Sequence, residues 1–585
     1  MTHGFRFIVI ADSHIRPSNQ EVDAYPSNAL LVRRNEYIVD LCNQIDAAFV
    51  VHLGDIVHPL PVEDSHAEAI DLAADVYAEL QHPIHFVAGN HDVGDKPNAL
   101  VAVPAVAEEN YSAFEDAWGP SFYSFNSDGC HFTIVDTQLL NSGLDREKRQ
   151  RTWLEADLDA ATAAGMRIFM LTHYPPFVLE RYENEHYDNL GEPARSWFLD
   201  LLVRHEVEAV FSGHVHNFLY NRHGRTDLYV SPSTGFVRPD FSELLSVQPL
   251  AENGRDDPPK LGILVVDITQ DGHVSRPLRS FGLTPPGEVA PKILEATLKP
   301  GWESPIGVTL RHGWATVADF PTAGLDEFNR KQVRNDALVY ALWEARIRDV
   351  RIPLGDISTV AGARRAEDLT ARGMQFSVFS AGVPDDRNID IVKSIAGSVK
   401  RWEVIVPPES FNEALASVSA VGADGLNLAI APIVPSGGHQ AAVHHFVSAG
   451  FGVGGDPNLE RWLTSDVNHV VQDLVFRIPW GDDVCDGVIR ANALARECGR
   501  KAVVIVDLPR DNESSVFDDD EAVERCVATA VRAATSETNV AVFLDMFVDH
   551  DRGYYPRHGL IDRAYNPRPA LYRLIQEAAA NQDPS

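Results

Sequence analysis

The sequence predicts an α/β protein in two parts, a layered sandwich up to about residue 280 followed by a (β/α)8 barrel. Three observations carry this. The 585 residues exceed what one hydrophobic core organises, since domains of ~100–200 residues are usual and α/β barrels reach ~250. In the first half, short apolar runs each end in a polar, histidine-rich turn. In the second half, such runs alternate with helical stretches at an even spacing of about 29 residues.

In order, the first-half runs are FRFIVIADSH, AAFVVHLGD, IHFVAGNHD, HFTIVDTQ, RIFMLTHYPP and EAVFSGHVH. They are short, rich in β-branched residues and followed by turn chemistry, as buried strands are. Helical patterns lie between several of them, including Ala67–Leu80 and Glu147–Ala164. Phe5–Ala11 reads as a first buried strand, because it lacks the basic flank and small-residue cleavage site of a secretory leader.

Leu283–Pro300 is proline-rich without strong periodicity and is assigned as a linker, giving domains 1–282 and 301–585. Beyond it, DVRIPL, QFSVFS, RWEVIVP, LNLAIAP, FGVGG, LVFRIP, AVVIVDLP and NVAVFLDM make eight βα units, with the barrel proper at about 349–579. GVTLRH, near residue 307, either opens the barrel or belongs to a connecting segment.

Apolar residues make up 45% of the chain and charged residues 23%, an ordinary globular balance. The net charge of −34 argues against a nucleic-acid polymer or an anionic membrane surface as the main partner. A small-molecule phosphate ester remains compatible, because a metal-filled pocket takes an anion whatever the average field; a homo-oligomer stays open. Five widely spaced cysteines form neither a disulfide framework nor a zinc knuckle, so a reducing compartment is expected. No apolar stretch approaches the ~20 residues of a membrane span. A cytoplasmic location is the expectation.

The chemistry is carried by Asp12-Ser-His14, Gly54-Asp55, Gly89-Asn90-His91-Asp92, His173 and Gly213-His214-Val-His216. Any one is commonplace, since DxH and HxH arise by chance and a buried histidine is more often a satisfied core residue than a ligand. Five in this order, each closing an apolar run, are specific. Two divalent metals ~3.5–4 Å apart clamp the attacking and leaving oxygens of a displacement at phosphorus. They need hard carboxylate and amide oxygens, imidazoles, and one shared carboxylate. Alternation along an extended segment is expected to align Asp12 with His14 and His214 with His216. The glycines before Asp55, Asn90 and His214 are expected to let the backbone turn tightly.

This pattern resembles the calcineurin-like metallophosphoesterase superfamily over roughly residues 5–280. The resemblance implies a four-layer α/β/β/α sandwich and two divalent ions (Mn, Fe or Zn), one held by Asp12, His14, Asp55 and His216. It implies that Asp55 bridges to a second ion held with Asn90, His173 and His214, and that a metal-bridging hydroxide attacks phosphorus. It leaves His91 free to stabilise the transition state or protonate the leaving oxygen, oriented by Asp92; support of a metal ligand from behind is the alternative role for His91. Purple acid phosphatases have DxG in the first block and a metal-bound tyrosine at the place of His58, so the DxH block and GHVH ending look more like cyclic-nucleotide and glycerophosphodiester phosphodiesterases. Tyr174 departs from the second histidine many relatives carry.

The segment Pro175–Arg195 lies between two ligand blocks, and pocket walls in the family often form there. His58, Tyr174, Arg181, Tyr182, His186 and Arg195 are therefore the candidate substrate contacts, with Tyr187 beside them; an ordinary solvated surface is the alternative. In the barrel, Asp356, Glu409, Asp456, Asp482, Asp507, Asp545, Asp549 and His550 fall near strand ends, where barrel sites lie. Some barrel glycosidases place an acid after strand four and another after strand seven. Counted from DVRIPL, strand four ends in AIAPIVP and lacks one. The function read is a phosphodiesterase. The alternatives are a phosphomonoesterase on a nucleotide or sugar phosphate, a second glycosidase-like activity in the barrel, or a non-catalytic scaffold; the last is disfavoured because no ligand is missing.

Overall fold

The computed structural model describes residues 4–18, 24–98, 103–245, 247–282, 289–311, 314–320, 330–419, 426–434, 448–464, 468–509, 519–549 and 558–581. The chain divides into two units. The first comprises Met1–Ala290 and Val317–Tyr340, the second Pro291–Thr316 and Ala341–Ser585.

The first unit opens with β1 (Arg6–Ile10), β2 (Phe49–His52), β3 (Ile84–Phe86), β4 (Tyr123–Ser127), β5 (Cys130–Val135) and β6 (Arg167–Thr172). There follow β7 (Ala209–Ser212), β8 (Leu219–His223), β9 (Thr226–Val230), β10 (Gly262–Thr269) and β11 (Gly272–Arg279). They form two sheets, ordered β11-β10-β1-β2-β3 and β4-β5-β6-β7-β9-β8.

Phenylalanines at alternate strand positions weld the sheets face to face. Phe7 of β1 meets Phe132, Phe169 and Phe211 edge-on at 5.3, 6.4 and 5.7 Å, and Phe49 meets Phe132 at 5.1 Å. Burying each such side chain is worth about 1.5–3 kcal/mol. Helices cover the outer faces. Helices Asp145–Ala163 and Ala194–Arg204 set Leu154, Leu158, Phe198 and Leu202 against Ile168, Met170 and Val210. Helix His66–Ala78 sets Tyr77 against His52 and Phe86. The result is the layered α/β/β/α sandwich.

Two boundaries differ from the sequence expectation. Helix Val289–Leu298 occupies much of the expected linker 283–300. Val289, Ile293 and Ala296 repeat at helical spacing there, and Pro291 is tolerated in a first turn that needs no intrahelical N–H. The chain then gives β12 (Ile306–Thr309) to the second unit and returns to the first with the antiparallel hairpin β13 (Val317–Phe320) and β14 (Lys331–Arg334). Residues 317–340 thus belong with the sandwich, not with the 301–585 domain. Phe320 and Val333 join Val178, Val215 and Phe241 in one apolar cluster, and Arg334 donates to Tyr220 O and Asn221 Oδ1 at 2.8 Å.

The second unit continues with β15 (Asp349–Pro353), β16 (Gln375–Ala381), β17 (Val399–Val406) and β18 (Asn427–Val434). After the two-residue β19 (Ser448–Ala449) and β20 (Phe451–Gly452) come β21 (Asp473–Ile478), β22 (Lys501–Asp507) and β23 (Val540–Asp545). Strands β12, β15, β16, β17, β18, β21, β22 and β23 pair in parallel, and β23 closes on β12. This closed eight-stranded barrel starts at Ile306, ahead of the expected 349. The segment GVTLRH is its first strand. FGVGG is not one of the eight, since only Phe451 and Gly452 pair with β21, and β18 pairs with β21 directly.

The corrected count makes β17 strand four, so exposed Glu409 does follow it. The other barrel acids are mostly occupied. Asp356 accepts from Trp314 Nε1 at 2.8 Å, Asp456 caps helix Pro457–Leu463, and Asp549 pairs with Arg568. Asp482 is exposed, and His550 lies outside the described residues. Among the described residues, no helix is long and apolar enough to cross a membrane.

Candidate metal centre

The ligand-bearing turns begin where strands of the two sheets stop: β1 ends at Ile10, β2 at His52, β6 at Thr172 and β7 at Ser212. Alternation is not what makes the side chains converge. Asp12, His14, Asp55, His214 and His216 all take left-handed backbone conformations, with φ between 48° and 69°. A non-glycine residue rarely holds that region, and each instance costs about 1–3 kcal/mol. The turns impose it on one another: Asp12 N donates to Gly54 O at 3.1 Å and His14 N to Asp55 O at 3.0 Å.

Two glycines permit the approach. Gly54 has φ 96°, and a Cβ there would stand 2.7 Å from His173 Nδ1. At Gly89 a Cβ would stand 2.0 Å from Asp55 N, so a side chain at either position would push the Asp55 and Asn90 turns apart.

Seven expected ligands come together, all buried. Asp12, His14, Asp55 and His216 form one group of metal-competent atoms, and Asp55, His173 and His214 form a second. Asp55 belongs to both: Oδ2 lies 3.4 Å from His14 Nε2 and Oδ1 lies 3.4 Å from His173 Nε2. Asn90 Oδ1 completes the second group, 2.9 Å from both His173 Nε2 and His214 Nδ1. The outer nitrogens are fixed by carbonyls, His173 Nδ1 donating to Leu53 O at 2.8 Å and His216 Nδ1 to Phe236 O at 3.0 Å. That sets the tautomers with Nε2 lone pairs pointing inward.

The donor set fits divalent ions. Buried Asp12 Oδ2 has no protein partner, and His14 Nε2 faces His216 Nε2 at 3.0 Å, an arrangement of two lone pairs that a cation would satisfy.

A match to the family model for calcineurin-like phosphoesterases covers residues 5–218. The first unit contains a calcineurin-like phosphoesterase domain. Serine/threonine-protein phosphatase CPPED1 of Danio rerio is 30% identical over 211 residues, 35% of this chain and 65% of that protein. The chain thus covers just under two thirds of that relative's length. Purple acid phosphatase 23 of Arabidopsis thaliana is 27% identical over 188 residues, 30% of this chain and 37% of that protein. Among solved structures, purple acid phosphatase PPD1 of Lupinus luteus aligns with a TM-score of 0.34 and 16% identity, over 48% of this chain and 52% of that one.

In this phosphoesterase domain His91 sits at the rim, half-buried, its ring 4.6 Å from that of His14. Its Nδ1 donates to His58 O, which leaves Nε2 as the nitrogen that gives or takes a proton. Asp92 does not orient the ring as expected. Its carboxylate accepts Ile56 N at 3.0 Å, Val57 N at 3.3 Å and Gly89 N at 2.8 Å, tying the Asp55 turn to the Asn90 turn. His58 places Nδ1 3.2 Å from His14 Nδ1.

The proposed substrate contacts separate into two kinds. Tyr174 is fully buried; its hydroxyl donates to Asp95 and its ring packs 4.1 Å from that of His214. Arg195 is buried too, its guanidinium donating to Leu190, Arg181 and Glu183 carbonyls and fastening the 175–195 loop from within. Buried His186 stands 3.3 Å from Glu183. These three are structural, because no solvent-side face remains to meet a ligand. Tyr182, with Arg181 stacked on it, is exposed.

Sequence reasoning missed Asp188, Arg238 and Lys331. Asp188 is fully buried, lies 3.5 Å from His214 Nε2, and is paired with Arg238 and with Lys331 of the hairpin. Burial disfavours its charge, but Arg238 and Lys331 hold the carboxyl well below the usual range. The acid follows no ligand motif, and its cations are 50 and 143 residues away, so nothing local announces the cluster. Lys331→Met is expected to destabilise the first unit by about 3 kcal/mol, as loss of one partner of a buried pair does. Thermal unfolding checks this, with the barrel's transition unmoved.

Burial lifts the Asp12 carboxyl to about 8. At His173 burial works the other way, but the Asp55 carboxylate overcomes it and raises the ring to about 9. His14 and His214 are held neutral, chiefly by burial. Metal ions must therefore displace protons from Asp12 and His173 but not from His14 or His214. Affinity is expected to level off above pH 9 and to rise with pH most steeply below about 8, where both protons are still in place and are released on loading. Calorimetry in buffers of different ionisation enthalpy measures that release; affinity flat across the steep range would contradict it.

Proposed function

We propose that the first unit hydrolyses small phosphate esters at a two-metal centre, with a phosphodiester as its substrate class. The observation that carries this is the Asp55 carboxylate, which turns one oxygen to each ligand group. When bound, two divalent ions there supply an activated water and neutralise charge at phosphorus. The protein's own part is to hold the ligands in the imposed left-handed turns and to present His91 Nε2 at the rim, where it can protonate the departing oxygen. His91 Nδ1, spent on the His58 carbonyl, fixes the ring's direction.

The diester reading rests on the DxH block and on charge. A diester brings one negative charge, and Arg238 and Lys331, the cations next to ligand His214, are already committed to Asp188 and Asp240. A monoester reading is favoured by the phosphatase names of the relatives. Hydrolysis of bis- and mono-p-nitrophenyl phosphate by Mn²⁺-loaded protein decides between them. Higher kcat/KM on the diester is expected, and preference for the monoester would replace the reading.

A further inference from the structure

At the C-terminal mouth of the barrel, Arg351 of β15 and Arg477 of β21 point inward, and Arg311 follows β12 by two residues. A cavity of about 590 Å³ opens there. Among the described residues its charged wall consists of these three arginines with Arg387 and Asp385, and Asp385 is occupied in capping helix Asp386–Ser394.

The acids that neutralise the arginines stand behind them and do not reach the wall. Arg351 Nε donates to Glu403 Oε2 at 2.7 Å, and Arg311 grips Asp545 with Nε and one terminal nitrogen at 3.0 and 2.6 Å. Arg477 donates through Nε to Ala449 O at 2.8 Å and through one terminal nitrogen to Asp507 and Asp545. Both terminal nitrogens of Arg351, and one each on Arg311 and Arg477, are left without a partner among the described residues. Arg351 is only 2% exposed and lines the cavity. Stacking on Phe379, 4.2 Å from the ring centroid, fixes the plane of its guanidinium.

A buried guanidinium with unspent N–H groups facing a cavity is a built anion receptor. The cavity size falls in the range of small-molecule sites. Three arginines, one on β15, one on β21 and one just after β12, line one space, which suits a tetrahedral oxyanion; a planar carboxylate is matched by the fork of a single arginine. We infer that this cavity binds a phosphorylated small molecule, its phosphate held by Arg311, Arg351 and Arg477 and its body resting on Phe379 and Ile405. The inference stands apart from the proposed activity of the first unit.

The test uses the full chain, stripped of metal and carrying Asp55→Ala so that the first unit offers no metal to a phosphate. Calorimetric titration with inorganic phosphate and with glycerol 3-phosphate, against succinate as carboxylate control, is expected to show one saturable phosphate site. The Arg351→Gln/Glu403→Gln double variant keeps a buried hydrogen-bonded pair without a lone charge and should weaken binding at least tenfold. Arg477→Lys keeps a cation beside Asp507 and Asp545, and should do the same should the double variant fail to fold. Absence of saturable phosphate binding, equal binding in folded variants, or tighter binding of succinate would overturn the assignment.

Discussion

Replacing Asp55 with alanine is expected to empty both metal positions at once and to lower phosphate-ester hydrolysis by more than about 10³-fold, over ~4 kcal/mol of barrier. The reason is geometric. Each oxygen of this carboxylate serves a different ligand group, while Oδ1 also accepts His91 N at 2.8 Å and so holds the Asn90 turn in place. A variant at another ligand, such as His216→Ala, should weaken one position and spare the other, because His216 belongs to a single group. Metal analysis of purified protein reads the difference. Two tightly held ions in Asp55→Ala would refute the bridge.

His91→Ala should separate substrates by their leaving groups. General acid help is worth ~10²–10⁴-fold when the departing oxygen is a basic alkoxide, and little when it is p-nitrophenolate. Alkyl phosphate esters should therefore lose about that factor, while p-nitrophenyl esters lose far less and metal content is unchanged. Equal losses on both would assign His91 to binding or to support of the His14 side of the centre, whose ring it touches at 4.6 Å.

The ligand set was legible because each residue follows an apolar strand within a few positions, so a local pattern reports a global convergence. Its physical cause was not. Alternation suggested extended backbone at Asp12, His14, His214 and His216, whereas left-handed turns turn those side chains inward. Strand order has no local signature, so the barrel's opening strand at Ile306 could not be told from a connector, and FGVGG was counted in its place. Composition likewise cannot distinguish an arginine on a pocket wall from one packed inside a loop. Arg195 carries the right chemistry for a substrate contact but spends it on three backbone carbonyls. The Asp188 cluster joins residues from three distant stretches, beyond the reach of any motif.

The return of residues 317–340 to the first unit has a consequence for how this chain is made. A ribosome finishes Ala290 some 50 residues before Tyr340, an interval of about 3–10 s at ~5–20 residues per second. During that interval the sandwich has every metal ligand but lacks Lys331, leaving Asp188 with Arg238 alone among its two cationic partners. By then β12 has already been synthesised, yet it cannot close on β23 until Asp545 exists. Synthesis therefore begins the barrel before it completes the sandwich, and no single cut in the gene yields both halves whole. A shortened gene ending near residue 282 would encode the ligands without their hairpin; supplying residues 317–340 by circular permutation would restore a complete first unit.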